Sequence, residues 1–147
     1  MAQHLKRPES VLVVLYTIAG EVLLLRRRWP ANFWQSVTGS LQWDEAQPML
    51  AARRELQEET GLGTEVEVIH CGITNRFPIL PAWQPRYGAA RENIEYVFRA
   101  VLPERLPITL NPEEHSEYLW LPRQEAAAKV TSYTNRDAIL QVVKAPA

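Results

Sequence analysis

The chain predicts an α/β fold, a mixed β-sheet with helices on both faces, on three observations. Short apolar or alternating runs at residues 11–18, 21–26, 65–71, 93–102 and 118–121 read as strands. Two segments, one mid-chain and one near residue 140, carry the 3.6-residue periodicity of amphipathic helices. Strands arranged around a central helix, with another helix after them, leave apolar surface on both faces of a sheet to be covered.

Residues 11–18 are β-branched and aliphatic, as a buried strand requires. Ala19-Gly20 supplies a turn and 21–26 returns as a second apolar strand, which predicts a hairpin. Arg26, Arg27 and Arg28 follow. Two readings are open for them: a solvated strand end, or a phosphate contact, because the planar guanidinium fork matches phosphate oxygens. After a loop at 29–32, residues 33–39 predict a short strand ending at a Gly39 turn. Within it Trp34 is either core or a stacking platform for a flat heterocycle, and Gln35 offers a donor and an acceptor to the ring edge.

The central helix carries the chemistry. Glu55, Glu58 and Glu59 stand at i, i+3 and i+4, so their carboxylates gather on one face. Like charges at this spacing cost about 0.2–0.5 kcal/mol per pair. Arg54, four residues before Glu58, offsets one charge but not three. A solvated acidic face is one reading. The other is a hard divalent cation such as Mg²⁺, which prefers carboxylate oxygen and keeps positions open for water and phosphate. Met49, Ala52 and Leu56 form the adjacent apolar stripe, which sets the acids at the rim of the core. Asp44 and Gln47 predict a capping box, Pro48 suits the first turn, and Gly61 suits the left-handed position past the last.

Beyond the helix, 65–71 alternates as a strand containing Cys71. The stretch 77–87, with Pro78, Pro81 and Pro85, predicts a long loop, and its Trp83 and Arg86 make it a candidate lid. In 93–102 the residues Ile94, Tyr96, Phe98 and Ala100 share one strand face. A loop over 103–112 leads to Glu113, Glu114 and Glu117 ahead of the strand 118–121. Pro122 opens a short helix reaching 129. The last helix is predicted from Thr134, capped by its hydroxyl with Asp137 at the third position, and buries Ala138, Ile139, Val142 and Val143.

The run from Arg54 to Leu62 resembles the second half of the Nudix hydrolase signature, G-x5-E-x7-R-E-U-x-E-E-x-G-U, in which U is a bulky aliphatic residue. Gly39 and Glu45 keep the first spacing, but eight residues rather than seven separate Glu45 from Arg54. Counting back from Arg54 instead places Ala46 and Ser40 at those two positions. The resemblance implies an α/β/α sandwich and a metal-dependent attack of water on a phosphoanhydride. It also implies Glu55, Glu58, Glu59 and the Gly39 carbonyl as ligands of Mg²⁺, with Mn²⁺ as a substitute, and Arg54 as the residue that orients the glutamates. The general base is a helix glutamate or a carboxylate before Tyr118, of which Glu114 is preferred over Glu113 and Glu117. Lys6-Arg7-Pro8, Arg27-Arg28, residues 33–40 and Asn135-Arg136 are similar to the bacterial branch that removes pyrophosphate from dihydroneopterin triphosphate in folate synthesis. That likeness implies substrate contacts from Arg7, Arg27, Trp34, Gln35 and Asn135. A nucleoside triphosphate pyrophosphatase and a Nudix-fold binding module without turnover remain alternatives.

Composition bounds the partners. With 46% hydrophobic and 22% charged residues over 147 positions, the expectation is one soluble domain spanning 1–147. A net charge of −1 lacks the basic excess of a nucleic-acid binder. One cysteine excludes an intrachain disulfide and fits a reducing compartment. The apolar run 11–15 is too short for a signal-peptide core or a membrane span. These bounds leave a cytoplasmic protein without nucleic acid or membrane as the expectation, and the resemblance implies a small-molecule triphosphate as its partner.

Overall fold

The computed structural model describes residues 5–144. A seven-stranded mixed sheet contains β1 (Glu9–Thr17), β2 (Glu21–Arg27), β3 (Trp34–Gln35), β4 (Val37–Ser40), β5 (Val68–Pro78), β6 (Glu92–Leu102) and β7 (His115–Pro122). Three helices accompany it: α1 (Pro48–Thr60), α2 (Arg123–Lys129) and α3 (Tyr133–Val142). None is long and apolar enough to cross a membrane.

The central strand is β1. It runs parallel to β6 from Glu9↔Ile94 to Thr17↔Leu102, and antiparallel to β4 and β2. Its side chains alternate between two cores. Val11, Val13 and Leu15 pack with Ala51, Ala52 and Leu56 of α1. Leu12, Val14 and Tyr16 pack with Ala126 of α2 and Ile139 of α3. A strand buried on both faces reads as a continuous apolar run rather than an alternating one, which is how 11–18 reads. Each fully buried aliphatic side chain contributes about 1.5–3 kcal/mol, so this strand joins the helical layers as well as the sheet.

The element boundaries carry the corrections. The strand expected over 33–39 is two strands, β3 pairing with β2 and β4 with β1. The break falls at Ser36, whose amide donates to Asn135 Oδ1 at 2.8 Å while its Oγ accepts from Asn135 Nδ2 at 2.9 Å. The Asp44–Gln47 capping box does not form, for Gln47 is the N-cap and makes no side-chain cap bond. Pro48 at the first position reduces the number of free amides there. At the other end Gly61 adopts φ 78°, and its amide closes onto Gln57 O at 2.9 Å.

Other ends shift by a few residues. The last helix is capped by Ser132 rather than Thr134, because Ser132 Oγ accepts from the Asn135 amide and Thr134 is buried in the first turn. The strand expected at 65–71 begins at Val68 and continues to Pro78, across a bulge between His70 and Ile73. That shortens the loop expected at 77–87, which holds a 3₁₀ turn, Gln84–Arg86. Glu117 lies within β7 rather than in the loop before it.

Candidate active site

Glu55 of α1 opens into a cavity of about 970 Å³, near the upper end of the range for small-molecule sites. The wall at the helix is built around Arg54. Its Nε and Nη2 donate to the two carboxylate oxygens of Glu45 at 3.0 and 2.9 Å. Nη2 also donates to Ser40 O at 3.0 Å, and Nη1 donates to Glu55 at 2.7 Å and Glu58 at 3.3 Å. These hydrogen bonds, those to Glu45 foremost, raise the Arg54 pKa, and they hold Glu45 below the usual carboxylate range. The extra residue ahead of Arg54 is absorbed between Glu45 and the start of α1, so Glu45, not Ala46, meets the arginine.

The three carboxylates are not equivalent. Glu58 is exposed and turned towards Arg54, whereas Glu55 and Glu59 are buried. Glu59, 1% exposed, has no hydrogen-bond partner for either carboxylate oxygen among the described residues. Burial, then the nearby Glu55, pushes its pKa well above the usual value. Burial likewise raises Glu55, against the opposing pull of Arg54. Gly39 makes room for this pair: a Cβ there would lie 2.2 Å from Glu55 Cδ.

Among the described residues no three Asp, Glu, His or Cys side chains converge tightly enough to hold an ion by themselves. The three-carboxylate cage expected from the spacing is thus a buried pair, Glu55 and Glu59, with Glu58 exposed at its rim and joined to Glu55 through Arg54 Nη1. An orphaned buried carboxylate beside a second one still fits a hard divalent cation that takes its remaining oxygens from backbone, water and phosphate.

Opposite the acids lie cations. Lys6, Arg27 and Arg86 line the cavity, and burial followed by mutual repulsion lowers the pKa of Lys6 and of Arg27. Arg27 also sits 5.6 Å from the ring centroids of Phe33 and Trp83. Arg26 is spent elsewhere, donating to Glu117 and Asn32, whereas Arg28 also lines the cavity, with Nε donating to Pro112 O as Arg27 Nε does to Trp29 O. Glu113 and Glu114 line the cavity; Glu117 does not, being held 3.1 Å from Arg26.

Other expected contacts need correction. Trp34 is packed in the core beneath α2 and α3 and does not line the cavity. Strand alternation turns it to the opposite face from Gln35, and Phe33 and Trp83 are among the aromatics that do line the cavity. Arg7 reaches the rim, but its guanidinium is committed to Glu9 at 2.7 Å and to the carbonyls of Gln42 and Glu45. Asn135 borders the cavity with both amide groups engaged by Ser36. Each is therefore a residue that holds the wall. Gln35 is buried at the wall and donates to His115 Nε2 at 3.2 Å.

His115 carried no signal in the sequence. It is 3% exposed, and burial, helped by Arg27, pulls its pKa down to about 4, so the ring is neutral at pH 7. The 3.7 Å approach of its Nε2 to Glu59 is a contact between a neutral ring and a carboxyl group, not an ion pair.

The NUDIX domain family model matches residues 6–141, taking in this whole arrangement. The chain belongs to the Nudix family. This Nudix chain is 41% identical to the dihydroneopterin triphosphate diphosphatase of Escherichia coli K12 over 94% of its own length and 93% of that protein's. It is 32% identical to the enzyme of that name from Haemophilus influenzae, over 91% and 86%. The solved E. coli dihydroneopterin triphosphate pyrophosphohydrolase superposes with a TM-score of 0.88 at 38% identity, covering 96% of this chain and 98% of that one. The α/β sandwich expected from the signature is the observed fold. Nudix hydrolases as a family work with a divalent metal.

Proposed function

We propose that this Nudix hydrolase cleaves dihydroneopterin triphosphate to dihydroneopterin monophosphate and pyrophosphate, with Mg²⁺ as its metal. The observation that carries the reading is a single cavity joining buried carboxylates to a cationic wall, in a chain 41% identical to a dihydroneopterin triphosphate diphosphatase along nearly its full length. Folate synthesis in the cytoplasm is the corresponding setting.

Polyphosphate resists water because its negative oxygens repel a nucleophile. Glu55 and Glu59, with Glu58 and the Gly39 carbonyl, are the groups that would hold Mg²⁺. Bound there, it supplies charge neutralisation and a lowered pKa for water. Arg54 keeps Glu55 and Glu58 in place and is itself held by Glu45. Lys6, Arg27 and Arg86 bind phosphate oxygens through charge-assisted hydrogen bonds. Glu114, exposed at the cavity mouth, is the side chain proposed to accept the proton of the attacking water. Water adds across the bridge between the α- and β-phosphorus. One oxygen–phosphorus bond forms, the bridging bond breaks, and pyrophosphate departs.

The test is kcat/KM with Mg²⁺ on dihydroneopterin triphosphate, dATP and 8-oxo-dGTP, with products identified by ³¹P NMR. The expected result is a preference for the pterin and release of pyrophosphate. A preference of tenfold or more for a nucleotide overturns the pterin assignment. Absence of phosphate or pyrophosphate release across the panel overturns the assignment as an enzyme.

A further inference from the structure

Strand β6 carries a second set of polar residues that the phosphate chemistry does not use. Its apolar residues Tyr96, Phe98 and Ala100 pack towards α1. On the other face, Asn93 and Glu95 line the cavity at only 4% and 5% exposure. A carboxylate so deeply buried without an opposite charge is costly, and here its support is slight. Asn75 Nδ2 donates to Glu95 Oε1 at 3.2 Å, and burial drives the pKa up against this bond and the nearby Thr134 hydroxyl. Asn93 Nδ2 donates to Ser10 Oγ at 2.7 Å, which leaves Asn93 Oδ1 buried and without a partner among the described residues. The cavity thus contains two adjacent hydrogen-bond acceptors, on residues i and i+2 of one strand face, and no cation is bonded to either among the described residues.

Acceptors in this arrangement select donors. We propose that Glu95 and Asn93 recognise the acylguanidine edge of a flat heterocycle, a ring N–H next to an exocyclic amino group. The carboxylate of Glu95 accepts from the ring N–H and one amino hydrogen, and Asn93 Oδ1 accepts the other. Pterin and guanine both present this edge. Adenine does not, since the ring nitrogen next to its amino group is an acceptor and would face the carboxylate lone pair to lone pair. Aromatic groups for the ring faces are at hand in Phe33 and Trp83, which line the same cavity with their ring centroids 6.1 Å apart. The inference rests on the triphosphate reading above and names the groups that choose the ring.

Glu95→Gln keeps the shape, removes the buried charge and presents a donor where the edge also donates. Thermal denaturation of the variant should show a fold at least as stable as the wild type. Its kcat/KM ratio of dihydroneopterin triphosphate to dATP should fall about 100-fold, the ratio of dGTP to dATP should fall with it, and Asn93→Ala should lower both in the same direction. A readout without metal or turnover is the intrinsic fluorescence of neopterin, whose binding should weaken about 100-fold in Glu95→Gln. Unchanged ratios, or neopterin binding equal to the wild type, overturn the proposal. A wild type that prefers dGTP to dihydroneopterin triphosphate, with ratios to dATP that still collapse, overturns the pterin assignment and supports recognition of the edge. A wild type that prefers dihydroneopterin triphosphate, with ratios that survive Glu95→Gln, does the reverse.

Discussion

Gly39 and Glu55 occupy each other's space: any side chain at Gly39 would meet the Glu55 carboxylate at 2.2–2.7 Å. Backbone and carboxylate are this close only because residue 39 has no Cβ. Gly39→Ala should therefore displace Glu55 while leaving both hydrophobic cores intact. An activity loss of about 100-fold is expected, with weaker Mn²⁺ binding by calorimetry and unchanged far-UV circular dichroism. Wild-type turnover in Gly39→Ala would place the metal elsewhere.

The Arg54–Glu45 pair predicts a pH effect on stability. Because Arg54 holds the Glu45 pKa down, the pair's contribution is complete above the ordinary glutamate value of about 4.3 and is lost as pH falls through the lower folded-state value. Glu45→Gln should remove this acid sensitivity. It should also cost about 1.5 kcal/mol at pH 7, since it weakens the charge-assisted bonds of a half-buried guanidinium that keeps Glu55, Glu58 and the Ser40 carbonyl. Urea titrations at pH 7 and pH 3.5 measure both.

For Glu59 the sign is opposite. Its folded-state pKa lies well above the unfolded one, so stability is highest below about pH 4.3 and declines as pH rises through the folded value. Glu59→Gln should be more stable than the wild type at pH 7 in metal-free buffer, and inactive. Glu58→Gln, at an exposed site, should lose several orders of magnitude of turnover with the fold intact. If Glu59→Gln instead proves less stable, its carboxylate has a partner in solution.

His115 adds a third dependence. With a folded pKa of about 4, the unfolded chain binds more protons than the native one between pH 6.5 and 4. Stability should therefore fall by about 3 kcal/mol across that window as pH drops. A His115→Gln variant should flatten the curve, and an unaltered slope in that variant would assign the effect to another group.

Chelation should abolish turnover without unfolding the chain, because the two cores on either side of β1 involve none of the glutamates. Thermal melting with and without EDTA, beside an activity assay, checks both halves of that statement.

Much of this was legible in the sequence because it depends on local spacing. The i, i+3, i+4 glutamates, the Arg54 beside them, the Gly61 stop and the buried run of β1 all follow from helix and strand periods. What the period could not reveal was which neighbour each side chain would meet. Glu58 differs from Glu55 and Glu59 in lying exposed while they are buried, and Arg7 and Asn135 are engaged by the wall rather than free for substrate. Trp34 falls on the core face because its register with β2 turns it there and turns Gln35 to the cavity. The buried His115, Asn93 and Glu95 gave no warning at all, since an isolated polar residue looks the same in sequence whether it faces solvent or lines a cavity. Local hydrogen bonding and periodicity decided the elements. Only the closure of the sheet around β1, which joins residues more than 80 positions apart, decided which charges would be buried together.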